Sequence, residues 1–182
     1  EQIFINYKKE IKLIKQENDY LKIHLNNVGK SLTKKRNKIA KKLENDIQNN
    51  LNSLSMPDVK FKISITTDDK HVNIDGFEKC EFYISTNTGE ELKPVSKIAS
   101  GGEISRIMLA IKMSLQSKDI VQTLVFDEID SGISGAVAEK VGQAIDSLSR
   151  THQILCITHL SQIASKGKCH FSINKNKKSN RI

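Results

Sequence analysis

Two carboxylates, Asp127 and Glu128, follow directly on the apolar run Gln122-Thr123-Leu124-Val125-Phe126. The run is rich in β-branched and apolar residues and does not alternate, which predicts a short strand buried on both faces. A strand interior does not hold two acids, so they belong at its C-terminal end. In an open α/β sheet that end is where ligands bind. Neighbouring residues on an extended chain point opposite ways, so the pair can divide two tasks. One carboxylate suits a magnesium ion and the other suits activation of a water. A solvated acidic turn has the same composition, and Asp-Glu after an apolar run is common, so the pair alone does not decide.

A second group lies upstream. Ser100-Gly101-Gly102-Glu103 opens a segment with apolar residues at helical spacing: Ile104, Ile107, Met108, Ile111, Met113 and Leu115. Bare backbone N–H groups and a hydroxyl at the positive end of a helix make a place for a phosphate. The same residues also fit a capping box between Ser100 and Glu103, and both readings can hold together. A third group lies downstream, where Thr158-His159 follows the apolar run Gln153 to Ile157.

The elements that must position these groups run as follows. Residues 4–54 place Phe4, Tyr7, Ile11, Ile14, Asn18, Leu21, Leu25, Val28, Leu32, Lys35 and Ile39 at steps of three and four, as in a coiled-coil seam. Beyond Ile39 the steps lengthen through Leu43, Ile47, Leu51 and Leu54, a stutter that unwinds a supercoil locally. A helix this polar needs a partner, and packing on the globular part fits the narrow seam poorly. Gly29 is expected to be a weak point that could mark a bend. Met56-Pro57 ends the helix.

Val59, Phe61, Ile63 and Ile65 then alternate, as do His71 to Ile74 and Cys80 to Ser85, which predicts a small antiparallel sheet with His71 on its surface. Ser134 caps a helix that buries Val137, Val141, Ala144, Ile145 and Leu148. Cys169 to Ile173 reads as a last strand, and the Lys- and Asn-rich tail from Lys175 as frayed. The order of strands and helices argues for a mostly parallel sheet covered by helices.

Composition bounds the function class. The chain has 182 residues and a formal net charge of +8, and no apolar run approaches a membrane span. The charge is uneven: residues 1–55 carry 12 Lys/Arg against 6 Asp/Glu, residues 56–164 carry 11 against 15, and residues 165–182 carry 6 against none. Basic ends suit nucleic acid, although a Lys-rich helix is commonly just a solvated face. Cys80, Cys156 and Cys169 have no metal spacing and read as buried or free thiols in a reducing compartment. Two Gly-Lys pairs are decoys. Gly29-Lys30-Ser31 has His24 where a phosphate-binding P-loop needs glycine, and Gly167-Lys168 fails in the same way.

Taken together, these stretches resemble the ATP-binding head of the ABC/SMC superfamily. Ser100 to Glu103 matches the signature motif, Thr123 to Glu128 matches Walker B, Ile129 to Ser134 resembles the D-loop, and Thr158-His159 matches the switch histidine. Ile129 stands where transporters usually have proline, and Glu103 where they have Gln or a similar residue, so the pattern is SMC-like. Phe82 to Ser85, Gly89 to Pro94, Ile98 to Lys112, Asp127 to Gly135 and Ile157 to Ser165 are similar to a bacterial branch that repairs DNA double-strand breaks. The similarity covers essentially the whole chain and places it in the C-terminal portion of such a protein.

The resemblance implies an α/β fold: the C-terminal lobe of an ABC/SMC head over 56–182, after a descending coiled-coil arm over 1–55. It implies ATP and Mg²⁺ as ligands, with ATP sandwiched between two heads. By resemblance, Asp127 helps hold Mg²⁺ through water, Glu128 polarises the attacking water and His159 contacts the γ-phosphate. Asp130 bridges to the other subunit. Ser100, Gly101 and Gly102, with Glu103 completing the motif, bind the γ-phosphate of a nucleotide on the opposite head. The implied partners are DNA without sequence preference, a second head, and an N-terminal lobe and ascending arm of the same protein, in the bacterial cytoplasm at the nucleoid. The fragment alone is expected not to hydrolyse ATP. Two alternatives remain: another SMC-like ATPase, such as a condensin or an SbcC-type nuclease partner, and a non-catalytic coiled-coil interaction module.

Overall fold

The computed structural model describes residues 2–67, 72–87, 89–98, 100–116 and 118–174, with side chains from Phe4 onward. His71 and the tail from Lys175 lie outside the described residues. Helix α1 spans Gln2–Ser53, about 78 Å at about 1.5 Å per residue. Strands β1 (Lys60–Thr67), β2 (Glu78–Ser85) and β3 (Lys93–Pro94) form an antiparallel sheet in that order, with Phe61 opposite Ile84 and Ile63 opposite Phe82. A 3-10 turn at Val95–Lys97 leads toward α2 (Gly101–Leu115). Strand β4 (Thr123–Phe126), α3 (Gly135–Leu148), β5 (Gln153–Cys156) and the single turn α4 (Ser161–Ala164) follow. Strands β4 and β5 pair in parallel, Thr123 with Gln153 and Phe126 with Cys156. The architecture is α/β: a long helix, a small antiparallel sheet, and a parallel pair with helices.

Helix α1 is two things in succession. From Phe4 to Val28 its apolar seam is exposed, as an unpartnered coiled-coil helix would be. Ile39 is still 64 % exposed, but from Leu43 onward the seam enters the core: Ile47, Leu51 and Leu54, with Ala40 beside them, are buried in one cluster with Val59, with Phe61 and Ile63 of β1, and with Ile107, Ala110 and Ile111 of α2. The expectation that packing on the globular part fits poorly is corrected for this half. The stutter after Ile39 broadens the apolar stripe from a coiled-coil seam to the wider face a globular core needs.

Polar residues on the same turns hold the edge strand. The Gln48 side chain donates to the Val59 carbonyl at 2.7 Å and accepts the Phe61 N–H at 3.2 Å, and Glu44 accepts the Ile63 N–H at 2.6 Å. These groups replace the missing neighbour of β1 and protect its edge. Asn50 donates to Ser114 of α2 at 2.8 Å. The helix ends with Ser55 in the left-handed region, φ 60°, and the Met56 N–H on the Leu51 carbonyl at 3.0 Å, a Schellman arrangement.

Helix α1 runs through Gly29 unbroken. The role of this glycine is close approach: a methyl group there would lie 1.8 Å from Cε2 of Phe77, so the ring sits directly on the helix backbone. Beside it the Glu78 carboxylate accepts from Thr33 and from Arg36. The Thr33 hydroxyl is the main cause holding the Glu78 carboxyl below its ordinary range; burial opposes it and Arg36 assists. A carboxyl lowered in the folded state stabilises fully above its unfolded pKa and loses that contribution as pH falls through the folded value. Gly29→Leu is therefore expected to expel Phe77 and loosen the β1–β2 hairpin from the arm, at a cost of about 1–3 kcal/mol by overpacking. Thermal unfolding checks this, and an unchanged melting temperature would show that the ring moves aside freely.

Three expectations about strands are corrected. Strand β4 is buried on one face only: Leu124 and Phe126 point into the core, whereas Val125 is 65 % exposed. Helices cover one side of the parallel pair, and no described residue covers the other. The alternation at 71–74 gives no strand over 72–74, only an isolated bridge between Asn73 and Gly76 in a tight turn. Cys169 to Ile173 is irregular, with Phe171 and Ile173 exposed.

Candidate functional site

Asp127 and Glu128 stand at the C-terminal end of β4, as the sequence predicts. Both are exposed. The Asp127 Oδ1 accepts the Glu128 N–H at 2.9 Å, and the second oxygen has no protein partner among the described residues. Glu128 has φ 56°, a left-handed conformation that costs a non-glycine residue about 1–2 kcal/mol. Strain of that kind collects at functional sites. The turn that follows is closed by the Ser131 N–H on the Glu128 carbonyl at 3.0 Å.

The start of α2 lies directly against this turn. A methyl on Gly102 would lie 2.8 Å from Cβ and 2.9 Å from the carbonyl oxygen of Ser131, so only glycine allows the approach. A methyl on Gly101 would lie 2.1 Å from Oε2 of Glu128, which places that carboxylate over the helix start. Ser100 is the N-cap residue and is exposed, and its side chain makes no capping hydrogen bond. The capping box expected between Ser100 and Glu103 is therefore not closed from the Ser100 side, and its hydroxyl stays available. Glu103 sits half-buried in the first turn.

Two residues that sequence reasoning missed lock these parts together. Ser105 donates to the Asp127 carbonyl at 2.7 Å, and the Arg106 guanidinium donates to the carbonyls of Ile129 and Ser131 at 3.3 and 2.9 Å. Arg106 is buried; burial draws its pKa down while the charge of Glu103 supports the charged form. The signal was present, since an arginine set among Ile104, Ile107 and Met108 must find buried acceptors.

His159 lies after β5, with its side chain 76 % exposed. Asp130, expected to bridge to the other subunit, is turned inward within its own chain. It is 5 % exposed, and its Oδ2 accepts from the Thr158 hydroxyl at 2.5 Å and the His159 N–H at 2.8 Å, with the His159 Nδ1 at 3.0 Å. The cause is local: the turn that leaves Glu128 left-handed directs the next carboxylate inward, where two hydrogen-bond donors and the nearby His159 ring offset its desolvation. Burial pushes the Asp130 carboxyl up, but Thr158 and then His159 pull harder, and it titrates below its ordinary range. Cys156 beneath it is pushed up to about 11, by burial first and then by the charges of Asp130 and Asp127, so it is an unreactive thiol. Cys80 and Cys169 are exposed and free.

Ser100, Gly101, Gly102, Glu103, Asp127, Glu128, Asp130 and His159 thus gather at one end of the parallel pair, joined by α2 and the 127–132 turn. Among the described residues no group of three or more His, Cys, Asp or Glu could hold a metal ion by itself. Asp127 fits Mg²⁺ only in the way that ion is commonly held, by one carboxylate together with waters and substrate phosphates.

This fold is that of part of an SMC-type head. The Smc head domain with a coiled coil and joint from Pyrococcus yayanosii superposes with a TM-score of 0.53 at 22% identity, covering 73% of this chain and 24% of that one. The SmcHead bound to the C-winged helix domain of ScpA gives 0.50 at 19%, covering 80% and 43%. No protein-family model matches the chain.

Sequence similarity is closer to one branch. The DNA repair protein RecN of Treponema pallidum is 39% identical over 167 residues, 89% of this chain and 29% of that protein. RecN of Bacillus subtilis is 39% identical over 182 residues, covering 88% and 32%, and RecN of Vibrio cholerae 43% over 136 residues, covering 75% and 24%. The chain belongs to the RecN family of the ABC/SMC superfamily and matches its C-terminal portion. It spans about a third or less of the length of these relatives.

Proposed function

We propose that this chain is the C-terminal lobe of an ATP-hydrolysing head in a DNA double-strand-break repair protein, residues 56–182, with residues 1–55 as the descending coiled-coil arm seated in the lobe by its last turns. The observation that carries this is the joining of the Ser100-Gly101-Gly102 helix start to the Asp127-Glu128 strand end through Gly102, Ser105 and Arg106. A helix start with unpartnered N–H groups and a free hydroxyl suits the γ-phosphate of a nucleotide held by a second head. Asp127 serves Mg²⁺ at the other nucleotide, and Glu128, exposed beside it, takes the proton of an attacking water. His159 offers its imidazole to the γ-phosphate. Mg²⁺, when bound, neutralises charge that develops on the phosphates.

Two heads closing on two nucleotides would make each head supply half of each site, so the working unit is a head-to-head dimer. DNA as partner rests on the family and on the basic arm, where Lys34, Lys35 and Lys38 are exposed. The chain contains no P-loop sequence, which the proposal assigns to the rest of the protein. The isolated chain is therefore expected to show no ATP hydrolysis above background with Mg²⁺. Turnover by the pure chain, abolished by Glu128→Gln, would contradict the division of labour. The exposed apolar seam of the arm and the intact acidic pair both speak against a non-catalytic module complete in itself.

A further inference from the structure

We propose that Asp130 is a positioning residue for His159, fixing the proton on Nδ1 and presenting Nε2 to the nucleotide. The proposal rests on the role given above to His159.

A single oxygen, Oδ2 of Asp130, accepts hydrogen bonds from the Thr158 hydroxyl and the His159 backbone N–H and lies 3.0 Å from Nδ1 of the His159 ring, an ion-pair contact. A carboxylate is an acceptor only, so the ring nitrogen facing it carries the proton. The tautomer of a functional histidine is commonly set in this way, by what its other nitrogen bonds. Thr158 is itself aligned. Its oxygen accepts the Leu160 N–H at 3.1 Å, which directs its own proton to Asp130.

The carboxylate has little freedom to turn away. Ile129, immediately before it, is fully buried, and Arg106 grips the carbonyls on either side of it, those of Ile129 and Ser131. The contrast in exposure supports the same conclusion. The Asp130 side chain is buried, while the histidine it holds stands largely in solvent. Burying a carboxylate is unfavourable unless its partners compensate, and an apolar pair is commonly as stable. Here the Thr158 hydroxyl and the His159 N–H offset that cost, and the same oxygen also reaches the exposed ring. This carboxylate, carried by the turn after β4, meets three groups of the segment after β5. Through Arg106 the start of α2 is tied to it as well. A shift of the helix start on meeting a phosphate would therefore reach His159 through two hydrogen-bonded steps.

The test uses the full-length protein with ¹⁵N-labelled histidine. Long-range proton–nitrogen correlation reads the tautomer of His159, assigned by loss of its signals in His159→Gln. The expected result is a ring protonated at Nδ1 in the wild type, shifting toward the Nε2–H form in Asp130→Asn. Thr158→Val, which removes a neighbour but leaves the carboxylate, should keep the Nδ1–H form. In steady-state ATPase assays Asp130→Asn and His159→Gln are each expected to lower kcat about tenfold or more. The double variant should fall little below either single one, because the two act as a unit. A wild-type His159 protonated at Nε2 alone overturns the proposal, and so does a double variant whose losses multiply. If Asp130→Asn fails to fold, the wild-type tautomer still decides. If His159→Gln leaves turnover unchanged, the proposed role of His159 fails, and the tautomer measurement judges the positioning separately.

Discussion

Glu128→Gln is expected to lower ATP turnover by the full-length protein about 10²- to 10⁴-fold, the range typical for loss of a general base. The substitution keeps the size of the side chain and its hydrogen-bonding reach but removes the basic carboxylate. The charge lies over the start of α2, an interaction of about 0.3–1 kcal/mol at an exposed site, so its loss leaves the fold intact. Glu128 is exposed, pairs with no cation among the described residues, and holds its left-handed backbone through the turn closed by Ser131. Stability and nucleotide affinity should therefore stay close to wild type while kcat collapses. The check is steady-state hydrolysis alongside a direct ATP-binding titration. A loss of affinity as large as the loss of kcat would mean that Glu128 contributes to binding and not to proton transfer.

Leu51→Ala is expected to destabilise the fold by about 2–5 kcal/mol, the range for large-to-small changes in a closed core. Leu51 is fully buried between β1 and α2, although it belongs to the helix whose first half is an exposed arm. Leu25→Ala, on the exposed seam of the same helix, should change the stability of this chain by about 0.5 kcal/mol or less. Denaturant unfolding of the two variants separates the readings. Equal effects would mean that α1 packs uniformly along its length and that the arm does not begin where the core ends.

The contrast between Leu51 and Leu25 shows where the sequence was legible. Steps of three and four identify both as seam residues, and periodicity cannot say what covers a seam. Only the stutter after Ile39 hinted at a change of environment. The short apolar strand before Asp127 was legible in place and length. Its burial was not, because Val125 is as apolar as Leu124 and the chain that would cover it is not among the described residues. Gly29 misled as a flexible point, since its meaning is a ring from a distant hairpin resting on it. The site was legible in its motifs and not in its connections. Ser100, Glu128 and His159 stand out by type and spacing. The inward turn of Asp130, by contrast, follows from a left-handed Glu128 that no pattern announces. Arg106 could have been found, because a charge on an apolar helix face requires acceptors.

The central claim is that Ser100 serves a phosphate held by another head while Glu128 serves hydrolysis. Light scattering of the full-length protein with ATP and Mg²⁺ tests it most directly, by comparing Glu128→Gln with Ser100→Arg. Ser100 is an exposed N-cap residue, so arginine there places bulk and charge at the helix start without disturbing the core. The account predicts that Glu128→Gln accumulates as a long-lived dimer under ATP. Ser100→Arg should bind ATP yet keep the mass it has without nucleotide. The same oligomeric state for both variants under ATP would contradict the account.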